Sequence, residues 1–209
     1  MKSCLLGAVS ACAITFTSLS ANAALVPRLG GQAYYDDVLD VTWLADANLV
    51  ASNTFGLAYN TDLGVHPSDN YPGTYTNTIL TDGRMDWSAS LHWIDAMNAD
   101  GGTGYLGYND WRLPTMIDTG TSGCNYSVTG GTDCGYNVQT GSASTTVYSE
   151  MASLWTDTLG NLPHYDTAGN AAQPGWGLTN TGPFSNVQSD YYWSGVEYAP
   201  VLYYAWYFN

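Results

Sequence analysis

Asp110-Trp111-Arg112-Leu113-Pro114 places a planar cation in a chain that has only 4 basic side chains against 18 acidic ones. Such a guanidinium is expected to be paired, and an Arg–carboxylate fork fixes orientation as well as energy. Glu197 and Asp110 are the candidate partners. Pro114 sets its own φ and lacks a donor, so the segment should leave a strand at a defined angle. With the glycine-rich run 101–107 before it, the pentapeptide reads as the end of a buried strand. Trp111 and Arg112 would then pin the core to a surface loop.

The first residues read as an export signal. Lys2 supplies the positive start, Leu5 to Leu19 is apolar or small, and Ala21-Asn22-Ala23 gives a small-x-small cleavage pattern. The apolar stretch is too short to span a bilayer. A lipoprotein box at Val9-Ser10-Ala11-Cys12 competes with this reading. It leaves few apolar residues before the acylated cysteine, so ordinary secretion of residues 24–209 as a single domain is favoured. Cys124 and Cys134 remain in that segment, and in an oxidising compartment they are expected to form one disulfide. Beyond residue 23 the only cations are Arg28, Arg84 and Arg112. A surface this acidic repels phosphate backbones and anionic headgroups, which disfavours nucleic-acid and membrane partners.

The pattern along the chain predicts an α+β fold, with an antiparallel sheet of short strands and hairpins, two helices and long loops. Residues 33–44 read as a hairpin around Asp36-Asp37, followed by a short helix capped by Asp46. Residues 53–83 are polar, rich in Asn, Thr, Gly and Tyr, and expected to form a long irregular loop that carries a binding surface. Asp86 is placed to cap a helix whose apolar face is Trp87, Leu91, Ile94 and Met97, with Asn98 to Gly102 stopping it. Residues 117–147 read as a Gly/Ser/Thr-rich insertion stapled by the disulfide. A second helix over 148–159 turns Met151, Leu154, Trp155 and Thr158 to one side. The chain closes on a hairpin from Tyr191 to Phe208 that turns at Tyr198-Ala199-Pro200-Val201.

Signals for catalysis are poor: no G-x-S-x-G, H-E-x-x-H or P-loop pattern occurs, and the three histidines are scattered. His92 beside the helix stripe reads as a satisfied core or boundary histidine. Trp111, Trp193 and Trp206 alternate within strands and read as core, with Arg112 and Glu197 as structural residues. Trp176, among glycines and prolines, is the binding candidate, and Tyr71 and Tyr75 could add amphipathic contact area. Asn98-x-Asp100-Gly101 and Asp36-Asp37-x-x-Asp40 are weak calcium candidates, so calcium is possible but no ligand set is assigned and no other cofactor is expected.

Several separated motifs, in order, resemble the Lcl C-terminal domain family of bacterial secreted and surface proteins. They are Gly31 to Asp36, Val41 to Asn48, Met97 to Gly102, Trp111 to Pro114, Tyr192 to Tyr198 and Tyr204 to Phe208. The resemblance covers residues 24–209. It implies a C-type-lectin-like α+β domain related to sulfatase-modifying folds, acting as a lectin-like or adhesin-like binding module for a neutral polysaccharide or a surface protein. An envelope or matrix component without a small ligand, or a hydrolase, are the alternatives. The sequence departs from this pattern in three places. The namesake adhesin is associated with sulfated polysaccharides, and no basic patch is present here. Gln173-Pro174-Gly175 lacks the third oxygen of a calcium-lectin triplet. Relatives continue past the last aromatic strand, so the final sheet is expected to close differently or to take a strand from another chain.

Overall fold

A computed structural model of the chain describes residues 25–118, 149–164, 170, 172–201 and 204–209. The segment that reads as an export signal and the two cysteines expected to pair, Cys124 and Cys134, lie outside them. The described residues form a small α+β fold with two helices and antiparallel strands in two sheets.

The first sheet is a meander of β1 (Leu25–Arg28), β2 (Ala33–Asp36) and β3 (Val41–Leu44). The 33–44 hairpin has the expected form, with Ala33 opposite Leu44 and Asp36 opposite Val41. Its corner is held by Asp36, whose Oδ1 accepts the Val38 and Leu39 N–H groups. Asp36 is fully buried, and its other oxygen accepts the Thr158 hydroxyl. Three donors satisfy the carboxylate, which is what lets it sit in the interior. β1 adds a strand that the sequence pattern did not suggest. Arg28 lies 3.9 Å over the Tyr35 ring and donates to the Thr42 hydroxyl, covering this sheet.

Helix α1 (Trp87–Ala99) starts after Asp86 as expected, but the Asp86 side chain does not cap it; its Oδ2 accepts the Thr78 N–H instead. The buried face also differs from the expected stripe. Ala89, Trp93 and Met97 point into a core shared with Val50 and Ile79, while Leu91 and Ile94 are only half-buried. Ser88 and Ser90 are buried as well, because each hydroxyl has a partner: Ser88 Oγ accepts the His66 N–H, and Ser90 Oγ donates to the Trp87 carbonyl. The helix is therefore covered on a broad front by loop 53–83 on one side and the last hairpin on the other.

Loop 53–83 is a folded body. Asn60 N–H donates to the Ile79 carbonyl and Leu63 N–H to the Asn77 carbonyl, pinching the loop shut over the buried Asn77 and Ile79. Asn53, Asp62 and Asp69 each accept a backbone N–H two residues on, the local turns that short polar side chains favour.

The second helix begins with α2 (Glu150–Ser153), capped by the Ser149 hydroxyl on the Ala152 N–H, and widens into a π-helical turn over Leu154–Thr158. Ala152, Ser153, Leu154 and Leu159 are its buried side, in place of the expected Met151-Leu154-Trp155-Thr158 face. Asp157 is partly buried there, and burial, with the nearby Asp36 adding repulsion, pushes its carboxyl above the usual aspartate range. A raised folded-state pKa means that the ionised form opposes folding at neutral pH and the protonated form does not. Asp157→Asn is thus expected to raise the urea midpoint at pH 7, with the gain shrinking to nothing as pH falls through the Asp157 titration. A midpoint that falls at pH 7 contradicts this.

β4 (Tyr192–Glu197) and β5 (Ala205–Phe208) form the second sheet, with an irregular register between Trp193 and Glu197. Asp118 closes this hairpin from outside: its Oδ2 accepts the Ala199 N–H and the Trp206 indole N–H.

Candidate functional site

The pentapeptide turns out to be extended, irregular chain rather than a strand end. The approach to it is set by Gly104 (φ 81°), where any Cβ would run into the Tyr108 carbonyl. Asn98, at the end of α1, brackets the Trp111 backbone, accepting its N–H at 2.9 Å and donating to its carbonyl at 2.8 Å. Trp111 packs against the α1 core, and its indole donates to the Tyr105 carbonyl. Arg112 is paired, though with neither expected partner. Its Nη1 and Nη2 reach Glu150 Oε2 and Oε1 at 2.8 Å each, and Oε2 also takes the Thr115 N–H. Glu150 is buried at 9% exposure, whereas the Arg112 side chain is half exposed. The Glu150 carboxylate, with its hydrogen bonds and charge, holds the guanidinium pKa above its ordinary value. One residue further, the Pro114 carbonyl accepts the Gly195 N–H and ties the segment to β4. The WRLP element therefore joins α1, α2 and the last hairpin.

Glu197 has a different task. Its two oxygens accept the Asn70 backbone N–H at 2.8 Å and the Asn70 side-chain amide at 2.6 Å, docking loop 53–83 onto the end of β4. A second junction lies beside it. The Trp87 indole donates to the Ser194 carbonyl, and the Trp193 indole donates to the Met85 carbonyl, each at about the same length (2.8 and 2.9 Å). This reciprocal clasp fixes the start of α1 against β4.

Loop, helix start and hairpin enclose a cleft of about 220 Å³ between them. It is lined by Tyr75, Trp87, Trp193 and Tyr207, with Asp69 and Asp86. Tyr204 stands at its edge, 65% exposed. Tyr207 is 52% exposed and is braced edge-on by Tyr191 (4.8 Å between centroids) and Trp193 (6.2 Å). Tyr75 donates its hydroxyl proton to Asp69 Oδ2 at 2.6 Å, and Asp69 Oδ1 accepts the Tyr71 N–H. Burial first, then that hydrogen bond, pushes the Tyr75 pKa well up, so the phenol stays protonated and donating. Among the described residues, no arginine lines the cleft. Its lining is aromatic and acidic.

The expected binding residues divide between two places. Tyr75 lines the cleft, and Tyr71 packs edge-on behind it at 4.9 Å. Trp176 is exposed, as a loop indole between Gly175 (φ 82°) and Gly177 (φ 104°) should be, but it belongs to another surface. There it stacks edge-on with His164 at 4.6 Å beside the exposed Leu162. Trp193, expected as core, is a wall of the cleft. Tyr204 and Tyr207 went unnoticed because alternation marks which residues share a face, not which face another element leaves open.

His92 is not the satisfied histidine it was expected to be. Its Nε2 is buried without a hydrogen-bond partner among the described residues, and its ring lies edge-on to His66 at 4.8 Å. His66 accepts the Ser68 N–H at Nδ1, so its Nε2 carries the proton that Asp95 takes at 2.9 Å. Both calcium candidates have oxygens already spent inside the fold, on Thr158 and the 36–39 corner by Asp36 and on Trp111 by Asn98. No group of three or more His, Cys, Asp or Glu suited to a metal occurs among the described residues. Among them, too, no helix is long and apolar enough to cross a membrane.

Comparison with protein-family models, curated proteins and solved structures found nothing that matches the chain.

Proposed function

We propose that the chain is an exported, lectin-like or adhesin-like binding module, C-type-lectin-like in fold, that holds a neutral polysaccharide in the aromatic cleft between loop 53–83, the start of α1 and the last hairpin. One observation carries the reading: five aromatic and two acidic residues line one cleft, brought together from two stretches far apart in the chain, 69–87 and 193–207. Sugar rings present apolar C–H faces and outward hydroxyls. Aromatic faces cover the former, and carboxylate oxygens accept from the latter. The absence of any cation from the cleft walls favours unsulfated over sulfated chains. Export through residues 1–23 and the resemblance to the Lcl C-terminal domain family support the same assignment.

The test is a glycan array followed by calorimetry on the best neutral oligosaccharide. Tyr207→Ala, at a half-exposed position, is expected to weaken binding roughly tenfold or more, in line with loss of an aromatic anchor. Trp176→Ala should leave the affinity within about twofold, the scale of a residue outside the anchor set. Loss with Trp176→Ala alone moves the site to the 162–177 surface. An array with no neutral glycan bound rejects the reading.

A further inference from the structure

Three of the donors in the cleft lining are spent inside the fold. The two indole N–H groups in its walls are turned away and spent on backbone carbonyls, Trp87 on Ser194 and Trp193 on Met85. The Tyr75 hydroxyl proton is spent on Asp69. Asp69 and Asp86 line the same cleft. Asp69 accepts from the Tyr71 N–H and the Tyr75 hydroxyl and Asp86 Oδ2 from the Thr78 N–H, and a carboxylate oxygen that accepts one bond keeps a second lone pair for an ammonium proton. A cavity of about 220 Å³ built in this way attracts a compact, donor-rich cation twice over. The ring quadrupoles favour positive charge over their faces, and the carboxylates accept its protons. The formal net charge of −14 strengthens the local field in the same sense.

We propose that the cleft selects glycans bearing free primary amino groups, its aromatic walls and the Asp69–Asp86 pair receiving the ammonium of a 2-amino-2-deoxy sugar. This rests on the reading of the cleft as the glycan site and narrows its ligand class. The N-acetylated sugar, with the charge gone and an acyl group added, fits the same rings without the electrostatic gain.

Calorimetry with short oligomers of glucosamine, of N-acetylglucosamine and of glucose separates the possibilities. The glucosamine oligomer is expected to bind about tenfold tighter than either neutral one in 50 mM salt, and the preference should collapse toward unity in 1 M salt. Tyr204→Ala and Tyr207→Ala keep the net charge, so general attraction of a cation to an acidic protein survives in them while cleft binding does not. Loss of the glucosamine affinity in both supports the proposal. Asp69→Asn with Asp86→Asn should abolish the preference, bringing the glucosamine and glucose oligomers to the same affinity on that variant. Where that double variant does not fold, the salt titration and the two tyrosine variants decide alone. Equal or weaker binding of the glucosamine oligomer overturns the amine selectivity and leaves the neutral-glycan reading standing. Glucosamine affinity undiminished in both tyrosine variants overturns the placement of the amine in this cleft. No binding of any oligomer overturns both readings.

Discussion

Trp87→Ala should destabilise the protein by about 3–5 kcal/mol, the usual cost of removing a large aromatic from a packed interior. Trp87 is 8% exposed, and its indole reaches across 107 residues of sequence to the Ser194 carbonyl. The substitution therefore opens a cavity at the first turn of α1 and leaves a buried carbonyl without its donor. It also removes one half of the clasp that fixes the start of α1 against β4, so the binding proposed for the cleft is expected to fall with stability. Trp87→Phe separates the two contributions. It keeps most of the packing and loses only the hydrogen bond, at a cost of about 1–3 kcal/mol for the orphaned acceptor and the smaller ring. Urea denaturation of both variants checks the order. A Trp87→Ala protein within 1 kcal/mol of the parent, the scale of an ordinary surface substitution, refutes the clasp.

Arg112→Ala is the second large effect, expected at about 2–3 kcal/mol. Glu150 is buried and arranged for three donors, two of them from the guanidinium. Without Arg112 its charge stays in the interior with the Thr115 N–H as its remaining partner among the described residues. The exposed half of the arginine keeps the loss below that of a fully buried pair. Arg112→Lys should recover less than half, because a lysine restores the charge and cannot reproduce the two parallel bonds. Glu150→Gln removes the charge together with its burial penalty and should cost less than Arg112→Ala. If Glu150→Gln proves the more damaging of the two, the stranded-charge account is wrong.

These two side chains also show how far residue patterns reach. That Arg112 must be paired followed from its rarity and its chemistry, and it is. That the partner is Glu150 did not follow, because Glu150 lies beyond the long Gly/Ser/Thr-rich insertion and only chain packing brings α2 back to Thr115. Glu197, the other glutamate, was expected to be structural; it serves Asn70 and loop 53–83. At α1 the start at Asp86 and the stop at Asn98 to Gly102 were readable from local residue preferences. Half of the buried stripe was: Trp87 and Met97 are buried as expected. Leu91 and Ile94 are half-buried, and the fold turned Ala89 and Trp93 inward instead, because two neighbours cover the helix and one of them gives Ser88 its partner, the His66 N–H.

The candidate site follows the same division. Exposed aromatic loops were legible, and Tyr75 was among the residues named. The cleft itself was not, since its walls come from residues 69–75, 86–87, 193 and 204–207, and each looks ordinary in its own segment.

By itself the sequence determined what neighbouring residues decide: an α+β alternation of hairpins and helices, the 33–44 hairpin with its acidic corner, the ends of α1, and a strongly acidic net charge. These depend on backbone preferences and side-chain charge, which act over a few residues or over the whole surface at once. Tertiary structure alone decided the Arg112–Glu150 pair, the Trp87–Trp193 clasp and the ring of tyrosines around Asp69 and Asp86. The first two hold groups tens of residues apart at hydrogen-bond distance, and the third gathers residues 69–75 and 204–207 onto one cleft, which is set by how elements pack and not by any local preference.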